Sequence, residues 1–171
     1  MENTDRLLTY FERIPEGQIL IFKFFITFAR LECALKNSSR FLKGDNTFSA
    51  ANWDKFITTL DNFDPNSTND LRLATDYILN NPPKKQVIQD NQLIWIDSLV
   101  TQQSVVKQLN IYIRRIRNNL LHGGKFNGNY TPEVSKNYML LKSAIIIMNY
   151  WINLDNEIKE LFNTDVFEIL T

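Results

Sequence analysis

The chain is poor in the residues that build small covalent or metal-held folds. Among its 171 residues there is one cysteine and one histidine. The lone Cys33 excludes an intrachain disulfide, and one Cys with one His falls short of an ordinary zinc ligand set. No HExxH, CxxC or EF-hand spacing occurs. Glycine and proline number five each, too few for a fold made of many tight turns. Long apolar runs are missing as well. The segment ILIFKFFITFA has only 11 residues and is broken by Lys23, short of the roughly 20 that span a bilayer. The first residues, MENTDRLLTYFERIPEG, are polar and acidic where a signal peptide has a basic start and an apolar stretch. The expectation from these absences is a cytoplasmic protein with no membrane contact, no metal and no cofactor.

Acid is the next thing to run out. Net charge is zero overall, yet no Asp or Glu occurs from Ser98 to Pro132. Lys107, Arg114, Arg115, Arg117 and Lys125 give that span +5, so the remainder sums to −5. A balanced total argues against indiscriminate nucleic-acid binding, whereas a local basic concentration is what a phosphate-facing patch requires. Clustered acid is confined to DNFDPNSTND, where Asp61, Asp64 and Asp70 read as a solvated loop rather than a cation site.

What is present is apolar material at helical spacing. Hydrophobic residues make up 44% of the chain and aromatics 12%, sufficient for one buried core over 1–171. From Gly17 to about Lys36 the pattern is apolar nearly all round, which predicts a central helix with Cys33 as a small structural hydrophobe. Ser49 is placed to cap AANWDKFITTLDNF, whose Trp53, Phe56, Ile57 and Leu60 fall three and four apart. Thr68 or Asn69 starts a short helix that NNPP ends after Leu79. PKKQVIQDNQLIWID lacks a helical period and reads as an extended or irregular segment pinned by Leu93, Ile94 or Trp95. From Gln102 to Leu121 the period returns, with Val105, Leu109, Tyr112, Ile113, Ile116 and Leu120 on one stripe. Gly123-Gly124 ends that helix. Thr131 and Pro132 open a long last helix to about Phe162, with Val134, Tyr138, Leu141, Ile145, Met148 and Ile152 as its seam, continuing through Ile158 and Leu161. The expected fold class is all-α, a bundle of four to five helices.

One peptide concentrates the reactive side chains: IRRIRNNLLHGGK, 113–125. Histidine titrates near neutrality and can take or give a proton. Arginine offers a fork of donors that matches phosphate oxygens and steadies charge during phosphoryl transfer. Cleavage of RNA by its own 2′-hydroxyl needs one group to remove the 2′ proton, another to protonate the leaving 5′ oxygen, and a cation at the phosphorus. On a helix Asn118 and His122 share a face, while Arg117 and His122 are five apart and about 140° off. They converge only where the helix gives out, as the two glycines provide. The same residues also suit a plain helix end, with basic groups offsetting the dipole and glycine as the stop.

Arg117-Asn118-Asn119-Leu120-Leu121-His122 resembles the Arg-x4–6-His motif of the HEPN superfamily, with the favoured polar residue directly after the arginine. RRIRNNLLHGGKF, with FARLECALK and NWDKF upstream, is similar to a plasmid- and phage-defence-associated branch of single-domain HEPN-like proteins. That resemblance implies a HEPN-like helical bundle and a metal-independent endoribonuclease, often a toxin or abortive-infection effector, acting as a homodimer. By it Arg117, His122 and Asn118 are catalytic, Arg114 and Lys125 hold neighbouring phosphates of the RNA, and Glu32 braces the motif through Arg114 or Arg117. Glu32 also fits an exposed pair with Lys36, four residues on. An antitoxin protein joins RNA and a second copy among the implied partners. Control by adenylylation is not implied, because Gly124 stands where those relatives carry tyrosine. The alternative for the same fold is a non-catalytic nucleotide- or RNA-binding module, or a structural interaction subunit.

Overall fold

A computed structural model describes residues 15–101, 104–121 and 134–164. Within them the order is α1 (Pro15–Asn37), β1 (Leu42–Gly44), β2 (Ser49–Ala51), α2 (Trp53–Thr58), α3 (Asn69–Asn80), β3 (Lys85–Gln89), β4 (Gln92–Ile96), α4 (Val105–Leu121), α5 (Val134–Leu154) and α6 (Asn156–Asn163). The all-α expectation, a HEPN-like bundle of four to five helices, is therefore corrected. The described fold is mixed, with six helices and two antiparallel two-stranded sheets.

Both hairpins arise from local chemistry that helical periodicity does not register. In β1–β2, Leu42 pairs with Ala51 and Gly44 with Ser49. Gly44 has φ +135°, and a Cβ there would collide with the Phe48 carbonyl oxygen, so only glycine fits. Asp45 closes the turn by accepting from the Thr47 amide (2.7 Å) and hydroxyl (2.6 Å). Ser49 is thus a strand residue, and the helix it was expected to cap starts at Trp53 behind Asn52, whose side chain accepts from the Lys55 amide. In β3–β4 the register runs from Lys85↔Ile96 to Gln89↔Gln92. Its two-residue turn, Asp90-Asn91, takes positive φ at both positions (50° and 58°), a conformation that Asp and Asn tolerate better than most residues. The segment expected to be extended or irregular is a regular ribbon, with Ile94 and Trp95 half-buried and Leu93 exposed.

The long last helix is two helices. Asp155 leaves helical geometry (φ −127°, ψ 113°), caps α6 by accepting from the Ile158 amide, and accepts both ways from Arg40 at 3.2 and 3.0 Å. The cap holds the first turn of α6, and the ion pair ties that turn to the loop after α1.

The centre of the molecule is α5 rather than α1. Leu140, Leu141, Ala144, Ile147, Met148, Trp151 and Ile152 of α5 are all buried, and α5 packs against both α1 and α3. On α1 the core face is Phe24, Phe28, Leu31, Ala34 and Leu35. Its opposite face is exposed although apolar, and Cys33 lies on it, not in the interior. Of the α4 stripe, Leu109, Tyr112, Ile113 and Ile116 are buried, with Val105 and Leu120 partly so. No helix among the described residues is long and apolar enough to cross a membrane.

Candidate functional site

Arginines 114, 115 and 117 leave α4 in three directions, because successive helical residues are rotated by about 100°. Arg115 turns to the base of the β3–β4 ribbon. Its Nη1 donates to the carbonyls of Pro83 (3.0 Å) and Ser98 (2.7 Å), and its guanidinium lies 5.4 Å from the Tyr112 ring centre. Burial pushes its pKa below the ordinary arginine value, an effect opposed by Tyr112. One turn on, the Asn119 amide donates to the Lys84 carbonyl at 2.8 Å. Tyr112 completes the clamp, its hydroxyl accepting from the Val100 amide at 2.9 Å. Arg115 is thus occupied in holding the ribbon and does not belong to a phosphate-facing patch.

Arg117 points instead across to α1. Its guanidinium carbon lies 5.3 Å from the centre of the Phe28 ring, within cation–π range. Nη2 is 3.5 Å from Glu32 Oε2, and Nη1 donates to Asn118 Oδ1 at 2.9 Å. Phe28 is itself stacked on Trp53, with ring centres 5.1 Å apart, and Trp53 Nε1 donates to Glu32 Oε1 at 3.5 Å. An aromatic floor, a carboxylate and a neighbouring amide therefore fix the guanidinium. The Arg117 and Glu32 side chains remain 29% and 33% accessible. At that exposure and distance the ion pair contributes only about 0–1 kcal/mol to stability, so fold stability alone is a weak reason for the arrangement.

Among the expected site residues, the structure thus brings Arg117, Asn118 and Glu32 together. Glu32 meets Arg117, not Arg114, and Arg114 is exposed one turn N-terminal to Arg117. His122 and Lys125 lie outside the described residues. Phe28 and Trp53, given no site role from the sequence although they lie in FARLECALK and NWDKF, floor and orient the cluster. Their apolar spacing marks them as core, and nothing in a single sequence separates a core aromatic from one lying under a cation.

Lys107, at the other end of α4, lines a groove of about 470 Å³ with Asp61, Phe63 and Ser104. It is ten residues from Arg117, hence about 15 Å along the helix. The basic span is thus dispersed: among the described residues only Arg114 and Arg117 share the α1-facing end of α4. No group of three or more His, Cys, Asp or Glu side chains suited to a metal ion occurs among the described residues. Compared with protein-family models, curated proteins and solved structures, the chain matches none.

Proposed function

We propose that this protein cleaves RNA without a metal ion, with Arg117 on the scissile phosphate and His122, five residues on, transferring a proton. The 2′ oxygen bonds to phosphorus as its proton leaves, the phosphorus–5′ oxygen bond breaks, and that oxygen takes up a proton. The products are a 2′,3′-cyclic phosphate and a 5′-hydroxyl. Each chain supplies one imidazole, so a second copy beside Arg117 supplies the other proton-transfer role. Asn118 orients Arg117, Glu32 keeps it from swinging, and Arg114 with Lys125 holds flanking phosphates. A protein regulator that covers Arg117 and His122 fits the toxin-like reading.

The observation that carries this reading is the partly exposed guanidinium of Arg117, set over Phe28 between Glu32 and Asn118. A cation already held in place loses little freedom when a phosphate arrives, and the hydrogen bond to Asn118 uses one of its five N–H donors. A second reading also has an observation behind it. Glu32 balances the Arg117 charge, which weakens stabilisation of a more highly charged transition state and suits a module that binds RNA or a nucleotide without cutting it.

End-labelled RNA incubated with the purified protein in EDTA separates them. The expected result is cleavage by wild type, ending in a cyclic phosphate, and no cleavage by His122→Ala with RNA retention preserved. Retention without cleavage by wild type selects the binding module. Neither retention nor cleavage removes both readings.

A further inference from the structure

An unsatisfied polar group sits in the interior of α4, toward the end away from Arg117. Asn110 is 3% exposed, and its Oδ1 meets no donor among the described residues. Buried acceptors in native structures normally have a donor, and one left bare is costly. Asn110 also lines a lobe of about 240 Å³ between α2 and α4, together with Asp54, Ile57, Thr58, Lys107 and Ile111. The lobe adjoins the larger groove near Ser104, and the two share Ile57, Thr58 and Lys107.

The inner lobe is rich in acceptors. Besides the Asn110 carbonyl it holds the Asp54 carboxylate and the Thr58 hydroxyl oxygen, whose own proton goes to the Lys55 carbonyl at 2.7 Å. Lys107 stands where the two lobes meet. Neither Asp54 nor Lys107 has an ion-pair partner among the described residues. The first turn of α4 carries no acidic residue, so the positive end of its dipole favours an anion beside Lys107. The outer lobe is walled mainly by apolar groups, Leu60, Phe63, Pro65 and Val105, with Asp61 and Ser104 among them.

We infer that this groove binds a free α-amino acid with an apolar side chain. The ammonium enters the inner lobe, where its three donors meet Asn110 Oδ1, Thr58 Oγ1 and the Asp54 carboxylate. The carboxylate meets Lys107 at the junction, and the side chain lies in the outer lobe against Leu60 and Phe63. Spacing on the helix suits this arrangement. Lys107 and Asn110 are three residues apart and so share a face of α4, about 5–6 Å between Cβ atoms. The two charges of an amino acid are likewise neighbours, on a single carbon. A simple amine leaves Lys107 unmatched, and a simple carboxylate leaves Asn110 bare; a zwitterion answers both. The site lies about 15 Å along the helix from Arg117 and is independent of the proposed cleavage.

Calorimetric titration and thermal unfolding with millimolar L-leucine and L-phenylalanine test this. Both probes are expected to bind and to raise the melting temperature. N-acetyl-L-leucine lacks the ammonium and L-leucinamide lacks the carboxylate, so each is expected to bind roughly tenfold or more weakly. Asn110→Leu removes the acceptor at similar volume. The free variant is expected to be no less stable than wild type, while its affinity for L-leucine falls roughly ten- to a hundredfold. Lys107→Ala alters an exposed side chain, so it tests the site even if Asn110→Leu does not fold. It is expected to weaken L-leucine to a similar degree and to leave L-leucinamide unchanged. Failure of both amino acids to bind would mean that water alone satisfies Asn110, and overturns the inference. L-leucinamide binding as well as L-leucine points to an amine or a peptide N-terminus, and N-acetyl-L-leucine doing so points to a plain anion; either result overturns the zwitterion.

Discussion

Arg117 and Arg115 are the same residue type two positions apart, and their surroundings give them opposite uses. Arg115 directs its donors to two main-chain carbonyls; Arg117 keeps an accessible edge above Phe28. Arginine's planar fork is what both settings employ, and lysine cannot reproduce it. Arg117→Lys is expected to change unfolding free energy by less than about 1 kcal/mol while lowering RNA cleavage by roughly 10²-fold; urea titration alongside single-turnover kinetics checks both. Asp45 gives a prediction in pH. The hydroxyl and then the amide of Thr47, with a weaker contribution from the Phe48 amide, hold its carboxyl below the ordinary value. Its contribution to the β1–β2 turn is therefore full above the usual carboxylate range, about pH 4, and is lost as pH falls through the lowered value. In an NMR titration the Thr47 amide signal is expected to stay constant down to about pH 4 and to move only below it. Movement starting at higher pH contradicts the turn chemistry.

Elements show how far sequence reaches. The α4 stripe and the core residues of α2 were legible, because spacings of three and four report burial directly. The break at Asp155 was also written in the chain: the seam 141, 145, 148, 152 steps by four and three, then jumps six to Ile158. Asp155→Ala is expected to destabilise the protein by about 1–2 kcal/mol through loss of the α6 cap, and Asp155→Asn by clearly less, since an amide oxygen still accepts from Ile158. Thermal unfolding of the two variants distinguishes a cap from a charge effect. The β3–β4 ribbon was less legible because its turn is Asp-Asn, without the glycine that usually announces such a hairpin. Arg115→Ala removes two charge-assisted hydrogen bonds, each worth about 1.5–3 kcal/mol when the partners are sheltered. Amide exchange in Lys85–Ile96 is expected to accelerate far more than in α5. Uniform acceleration would mean that Arg115 supports the whole core and not the ribbon.

At the scale of the whole molecule, charge and burial had to be placed in space before they could be interpreted. Sequence located a basic span but not its division among a clamp, a distant groove and the Arg114–Arg117 end. It likewise took α1 for the central helix, because an exposed apolar face and a buried one have the same composition. For RNA retention, the log of affinity is expected to fall with the log of salt concentration, and Arg114→Ala to reduce that slope by about one phosphate contact, uniformly across RNA sequences. Filter binding between 50 and 200 mM salt measures it. An unchanged slope places Arg114 away from the RNA.

The ribbon clamp has a mechanical corollary. Arg115 and Asn119, which grip the ribbon, bracket Arg117, which reaches α1, so both attachments share little more than one helical turn. The ribbon extends from that turn, and its outer pair, Ile88 and Leu93, stands in solvent. The stretch of α4 that seats the guanidinium on Phe28 is therefore also the stretch that anchors the ribbon's base, so the two cannot be altered separately by changing the course of the helix there.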